Sequence, residues 1–132
     1  MPKDNPAVAA SEIAAIEATL QTYFDGLHEG DPAKLAQAFH PASHLYSAVE
    51  GKIADLPAPQ WFEMVKNRPS PASKGDKRTD RILSIDLNGP VTAFAKVECS
   101  IPPRYFTDYL TLVKLDGRWQ VIAKAYHYNV KT

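Results

Sequence analysis

The spacing of apolar residues changes near the middle of the chain, and this change limits the folds available to it. In the first half, apolar residues recur every three or four positions, which places them on one face of a helix from about 11 to 28. These residues are Ile13, Ile16, Leu20, Tyr23, Phe24 and Leu27. In the second half, apolar and polar residues alternate, which is typical of strands with one buried face. Helices followed by antiparallel strands predict an α+β fold.

Capping and turn residues divide the chain further. Ser11 is a suitable N-cap for the first helix, and Gly30 is a suitable end for it. Asp31-Pro32 then predicts the start of a second, short helix, because Asp caps a helix and Pro fits its first position. Further elements are expected over these ranges: a strand at 44–49, a helix at 59–66, and strands at 83–87, 91–101, 105–115 and 118–128.

Length and composition exclude several classes of protein. The 132 residues are enough for one domain, which we expect to span residues 11–132 after a flexible segment at 1–10. Fifteen basic side chains balance fifteen acidic ones, so no net charge favours nucleic acid or an anionic membrane as a partner. The sequence has no run of about 18 apolar residues, so a membrane span is not expected. A single cysteine, Cys99, excludes an internal disulfide framework and favours a cytoplasmic location.

The last two predicted strands are joined by Asp116-Gly117, the strongest hairpin signal in the chain. With a two-residue turn, Asp108 and His127 fall on one apolar face as diagonal neighbours, about 7–8 Å apart. A carboxylate and an imidazole in this arrangement are suited to general acid–base chemistry. The same pair is equally compatible with a structural contact that closes the sheet. A turn of another length would exchange the two faces, because a one-residue slip moves every side chain to the other side.

The opposite face of this hairpin is rich in tyrosine. Its tyrosines are Tyr105, Tyr109, Tyr126 and Tyr128. Tyrosine is enriched where two proteins meet, since its ring buries well while its hydroxyl keeps a hydrogen bond. We therefore predict a homodimer interface on this face, and the alternative is a sheet face exposed to solvent.

Four short segments carry a resemblance to a known fold family: YFDGLHEGDP at 23–32, FHP at 39–41, FTDYLTL at 106–112 and DGRW at 116–119. In this order they resemble the nuclear transport factor 2-like superfamily, and within it the group called putative lumazine-binding. The resemblance spans residues 11–128, nearly the whole chain. It implies a strongly curved antiparallel sheet wrapped around three N-terminal helices, a cone with one pocket at its open end, and dimerisation through the outer sheet face.

The resemblance also implies a kind of chemistry. Ketosteroid isomerases, polyketide cyclases and small dehydratases are similar in layout, which implies proton transfer on a small cyclic or enolisable substrate. Tyr23 falls at the position of the isomerase's oxyanion-hole tyrosine, while Ser47 and Thr111 stand where its two aspartates would be. Steroid isomerisation by that mechanism is therefore not expected, and Asp108 and His127 are the candidates for a different acid–base pair. Four side chains are expected to contact the substrate: Ser47, Trp61, Phe106 and Leu27.

The sequence leaves two functions open. The first is a cofactor-independent isomerase, cyclase or dehydratase that binds a small molecule in an apolar pocket, with Asp108, His127 and Tyr23 as catalytic residues. The second is a non-catalytic ligand-binding or dimerisation module in which the Asp–His pair is structural. The sequence has no Gly-rich phosphate loop or nucleophile elbow, and its four histidines lack the spacing of a metal site. We therefore expect neither a cofactor nor a metal.

Overall fold

A computed structural model describes residues 6–131 of the chain. It contains three helices: α1 (Pro6–Glu29), α2 (Pro32–Ala38) and α3 (Ala58–Asn67). It contains six strands: β1 (Phe39–Ser47), β2 (Ala54–Pro57), β3 (Arg81–Asn88), β4 (Thr92–Ile101), β5 (Arg104–Leu115) and β6 (Arg118–Val130). The α+β class predicted from the sequence is confirmed.

Helix α1 begins earlier than the sequence signals predict. Its first residue is Pro6, so Ser11 lies inside the helix and is not its N-cap. Pro6 fits the first position of a helix, and the alanine-rich residues after it have high helix propensity, which explains the early start. Of the segment 1–10 that we expected to be flexible, residues 6–10 are helical and residues 1–5 lie outside the described residues.

The junction between α1 and α2 follows the predicted capping. Gly30 has a φ of 68°, the left-handed conformation that ends a helix and favours glycine. The Asp31 carboxylate then accepts hydrogen bonds from the backbone N–H groups of Ala33 (3.0 Å) and Lys34 (3.4 Å). These bonds satisfy two of the free N–H groups at the start of α2 and fix the angle at which the two helices meet.

The six strands form one sheet in the order β2-β1-β6-β5-β4-β3. All neighbouring pairs are antiparallel except β1 and β6, which are parallel. The predicted antiparallel sheet is therefore a mixed one, because β1 pairs with the last strand of the chain after a long connection. We call the side of the sheet that packs on the helices the inner face and the other side the outer face.

The turn between β5 and β6 is the predicted two-residue turn. Asp116 and Gly117 have φ angles of 53° and 78°, as a type I′ turn requires, and Leu115 pairs with Arg118. Farther along the hairpin the register shifts, because Leu112 pairs with Val121 while Thr111 pairs with Ala123. One residue of β6, Ile122, is left over as a β-bulge.

The bulge exchanges the faces of β6 beyond residue 122. Asp108 pairs with Tyr126, and His127 pairs with Thr107. The predicted contact between Asp108 and His127 is therefore wrong: His127 is exposed, and its Nε2 atom lies 3.3 Å from the side-chain oxygen of Asn129.

Because of the bulge, the predicted dimer face is wrong for two of its four tyrosines. Tyr126 and Tyr128 lie on the inner face, where both rings contact Phe106 at centroid distances of 5.8 and 5.5 Å. Tyr105 and Tyr109 alternate with the inner residues of β5 and remain on the outer face. Half of the predicted tyrosine interface is therefore on the other side of the sheet.

The hydrophobic core lies between the inner face and the helices. Its fully buried members from α1 include Ile16 and Leu20, and those from the central strands include Val97, Leu110 and Val121. Within residues 6–131, no helix is both long and apolar enough to cross a membrane. A cavity lies on the inner face near the start of β5, and the candidate site is beside it.

Candidate functional site

Three polar side chains meet under the helices: Tyr23 from α1, Asp108 from β5 and Lys124 from β6. The Tyr23 hydroxyl donates a hydrogen bond to Asp108 Oδ2 at 2.5 Å and accepts one from Lys124 Nζ at 2.8 Å. Lys124 Nζ is also 3.7 Å from Asp108 Oδ2. We call these residues the Tyr–Asp–Lys triad. The tyrosine hydroxyl connects the two opposite charges.

The triad is almost completely buried. Tyr23 and Asp108 have no exposed surface, and Lys124 is 5% exposed. Burying a single charge is very costly, so each ionised group of the triad depends on the other. Asp108 Oδ1 has no hydrogen-bond partner among the described residues, so all of the polar contacts of this carboxylate converge on Oδ2.

Burial also fixes the protonation state of Tyr23. Removal from water, and then the negative charge of Asp108, raise the pKa of the Tyr23 hydroxyl well above its ordinary value of 10.0. The hydroxyl therefore keeps its proton at neutral pH, where it is available as a hydrogen-bond donor and as a carrier of a proton between its neighbours.

Aromatic rings surround the ammonium group of Lys124. Its Nζ atom lies 4.9 Å from the ring centroid of Trp61, 5.1 Å from that of Tyr23 and 5.2 Å from that of Tyr126. Phe106 completes the group at 6.0 Å. Such distances allow cation–π attraction, which partly replaces the water that the ammonium has lost. The rings hold the charged end of Lys124 at one position.

A cavity of about 100 Å³ opens beside the triad. Its lining is mainly apolar and aromatic, and its polar members are cationic or hydroxyl groups. The lining residues are Tyr23, Leu27, Leu45, Leu56, Trp61, Met64, Arg68, Cys99, Ile101, Arg104, Phe106, Lys124 and Tyr126. Asp108 lies behind Tyr23 and Lys124 and is not part of the lining. Tyr23 and Lys124 therefore separate the Asp108 carboxylate from the cavity.

The structure brings together most of the site residues expected from the sequence. Tyr23, Leu27, Trp61 and Phe106 all line this cavity. Ser47 does not, and lines a neighbouring depression instead. Its Oγ atom accepts a hydrogen bond from the backbone N–H of Val49 at 3.2 Å. The substrate contact expected for Ser47 is therefore wrong for this cavity.

Three charged residues of the cavity were missed: Lys124, Arg68 and Arg104. Strict alternation along β6 predicts Lys124 on the outer face, on the opposite side of the sheet from Asp108. A signal was nevertheless present, because a carboxylate in an apolar row needs a counter-ion. The two arginines lie in loop and strand-end positions, where sequence spacing predicts no orientation.

Cys99 lies beside the triad, with its Sγ atom 3.8 Å from Asp108 Oδ2. It is 5% exposed, and burial, followed by the charge of Asp108, raises the pKa of its thiol.

We expect Cys99 to react with a disulfide reagent such as DTNB at least about 100-fold more slowly in the native protein than in urea, because the reacting species is the thiolate. Absorbance at 412 nm measures the rate, and similar rates in both conditions would contradict the described burial.

Within the described part of the chain, no group of three or more His, Cys, Asp or Glu side chains is arranged to hold a metal ion. The cavity lining contains an ammonium, a tyrosine and two guanidinium groups, and the Asp108 carboxylate lies behind Tyr23 and Lys124.

Solved structures of similar shape define the class of the fold. The chain matches an NTF2-like protein from Shewanella baltica with a TM-score of 0.82 and 27% identity, covering 92% of this chain and 97% of that one. It matches an NTF2-like protein from Silicibacter pomeroyi with the same TM-score and 23% identity, covering 92% and 98% of the two chains. The helices and curved sheet therefore form the nuclear transport factor 2-like fold that the sequence resemblance implied.

Sequence comparison gives the family within that fold. Residues 11–127 match the family described as "Putative lumazine-binding", and the chain belongs to this family. The chain is also 30% identical over 122 residues to a protein named aldolase FrzH from a Cladobotryum species, covering 91% of this chain and 94% of that protein.

Proposed function

We propose that the protein is a cofactor-independent enzyme that transfers a proton at a carbon atom next to a carbonyl group of a small organic molecule. The observation that carries this proposal is the hydrogen-bonded bridge of the Tyr23 hydroxyl between Asp108 and Lys124, with the residues Tyr23 and Lys124 both in the lining of the cavity. The Asp–His pair expected from the sequence is replaced in this role by the Tyr–Asp–Lys triad.

The hydrogen bonds of the triad support a proton relay from the substrate through Tyr23 to Asp108. The carbonyl oxygen of the substrate accepts a hydrogen bond from the Lys124 ammonium, which stabilises the negative charge that develops on that oxygen. The C–H bond next to the carbonyl breaks, and its proton passes to the Tyr23 oxygen while the Tyr23 proton passes to Asp108 Oδ2. The products are an enolate paired with Lys124 and a neutral Asp108 carboxyl group. Reversal of the relay at another carbon completes an isomerisation.

The enolate is also the species from which cyclisation, dehydration and aldol reactions proceed. The relative from Cladobotryum is named an aldolase, and an aldol reaction needs the same enolate, which then attacks a second carbonyl carbon. This likeness favours carbonyl chemistry as the common step and does not select one of these reactions.

A second candidate function is non-catalytic ligand binding, with the triad as a structural connection between α1 and the sheet. The burial of Asp108 behind the cavity wall favours it, since a purely structural carboxylate is expected to have no contact with a ligand. The two candidates differ in whether the bound molecule exchanges protons with the triad.

Deuterium exchange tests for this proton transfer. In D₂O, NMR follows the loss of the C3 protons of 2-oxobutyrate and of the α-protons of cyclohexanone. We expect the protein to accelerate exchange of at least one probe over buffer. Tyr23→Phe should lower the enzymatic rate about 100-fold, since a positioned acid–base group contributes about 10²–10⁴-fold.

A matched control separates chemistry from general damage. Tyr46→Phe removes the same hydroxyl from the outer face of β1, where Tyr46 alternates with buried residues and stacks on His44, and should leave the exchange rate within about two-fold. Exchange no faster than buffer for both probes, or an equal rate in Tyr23→Phe and the parent protein, would contradict catalysis and favour the ligand-binding function.

We further propose that two copies associate through the outer face and that the protein works in the cytoplasm. The support for association is a pair of stacked rings, Phe94 and Tyr109, with centroids 5.9 Å apart and both side chains exposed. The support for a reducing compartment is the single cysteine of the chain.

A further inference from the structure

Two arginines, Arg68 and Arg104, line the cavity. Arg68 follows α3 and has an extended backbone with φ −112° and ψ 153°, because the next residue, Pro69, disfavours helical geometry before it. Arg104 begins β5, and its guanidinium carbon lies 4.5 Å from the ring centroid of Tyr128. Stacking on this ring restricts the position of the guanidinium.

The charges in the cavity are not balanced by the protein. The lining contains three cations, Arg68, Arg104 and Lys124, and no carboxylate. Asp108 lies behind the lining and compensates Lys124. Within residues 6–131, the side chains of Arg68 and Arg104 have neither a hydrogen bond nor an ion pair. The cavity therefore carries two positive charges without a counter-ion.

Arg68 is the less exposed of the two arginines, so the uncompensated positive charge affects it more than Arg104. It is half-buried, and removal from water, together with repulsion by the charge of Arg104, lowers its pKa. Holding a guanidinium in such a place costs stability unless an anion approaches it. A bound anion would supply the missing charge and would accept the parallel N–H donors of the guanidinium forks.

The small volume of the cavity limits the size of the molecule that carries this anionic group. A cavity of about 150 Å³ accommodates benzene, and this one measures about 100 Å³, so the ligand is a compact molecule. The anionic group has to lie at the arginines while the rest of the molecule reaches the Lys124 ammonium. A carboxylate is planar and pairs with a guanidinium through two parallel hydrogen bonds, which suits this narrow space better than a tetrahedral phosphate.

We propose that the substrate is a small oxo acid, with its carboxylate bound by Arg68 and Arg104 and its carbonyl oxygen bound by Lys124. This inference rests on the proposed proton transfer for the role of the carbonyl group. The binding of the carboxylate by the arginines is independent of catalysis and is testable by itself.

Calorimetric titration of the whole protein with matched probes tests the carboxylate site. The probes are 2-oxobutyrate, its neutral amide 2-oxobutanamide, and inorganic phosphate. We expect 2-oxobutyrate to bind at least ten-fold more tightly than the amide and more tightly than phosphate. Arg68→Gln should weaken 2-oxobutyrate at least ten-fold and leave the amide unchanged.

Control variants keep the test decisive. Arg81→Gln removes an exposed arginine outside the cavity, one that pairs with Glu98, and should bind 2-oxobutyrate like the parent protein. If circular dichroism shows that Arg68→Gln does not fold, Arg104→Gln and the comparison of probes on the parent protein replace it. Equal binding of acid and amide, tighter binding of phosphate, or no loss in the arginine variants would overturn the proposal.

The binding and exchange experiments together distinguish the carboxylate site from the proposed proton transfer. Arginine-dependent binding of 2-oxobutyrate without deuterium exchange would retain the carboxylate site and refute the proton transfer. Deuterium exchange into the amide as fast as into the acid, with no effect of Arg68→Gln, would retain the proton transfer and refute the carboxylate site.

Discussion

Replacing Asp108 with Asn should lower the free energy of unfolding by about 3–5 kcal/mol. The substitution removes the carboxylate paired with Lys124, a residue that is 5% exposed and whose Nζ atom lies 3.7 Å from Asp108 Oδ2. The ammonium would then be buried without a counter-ion. Urea denaturation, followed by the fluorescence of Trp61 and Trp119, measures the loss.

A double-mutant cycle shows whether the pair itself is responsible. Asp108→Asn with Lys124→Met removes both charges, so the double variant should lose clearly less stability than the sum of the two single losses. Asp86→Asn changes an exposed aspartate on β3 and should alter stability by no more than about 0.5 kcal/mol. A loss under about 1 kcal/mol in Asp108→Asn, or strict additivity in the cycle, would show that the two charges do not depend on each other.

The triad also shows how far the sequence could predict this site. The helical period of α1 placed Tyr23 correctly among buried residues, and the two-residue turn at Asp116-Gly117 was correct. These features depend on short-range geometry, which the local sequence specifies. The class of the fold followed from the same local patterns.

The partner of Asp108 could not be predicted in this way, because one extra residue in β6 decides it. Strict alternation places Ala123 and Ala125 inside, and alanine is small enough to fit either face of a sheet. The sequence alone therefore accommodates both registers. The bulge at Ile122 instead turns Lys124 inward, and the need of a buried carboxylate for a counter-ion is the physical reason that favours this register.

The long-range contacts of the fold could not be predicted from the sequence for a different reason. The parallel pairing of β1 with β6 joins segments about 80 residues apart, and no local pattern encodes such a contact. Strand β2 has only four residues, all exposed or half-buried, and lacks the alternation that identifies a strand. The cationic lining of the cavity combines Arg68 after α3, Arg104 from β5 and Lys124 from β6, so it appears only in the folded chain.

Replacing Lys124 with Met should reduce the rate of deuterium exchange into 2-oxobutyrate about 1,000-fold. Removing one donor to a developing oxyanion costs about 10²–10³ in rate. The substitution also removes the hydrogen bond from Lys124 to the Tyr23 hydroxyl, which weakens the proton relay. Methionine has a similar length and fits the surrounding rings, so the cavity keeps its shape. Lys77→Met, at an exposed position between α3 and β3, is the matched control and should exchange at the rate of the parent protein. Because Asp108 then lacks its counter-ion, the rates are compared at a temperature at which circular dichroism shows both variants folded. A loss smaller than ten-fold would mean that the ammonium does not contact the reacting oxygen, and the relay from Tyr23 to Asp108 would then have to work without it.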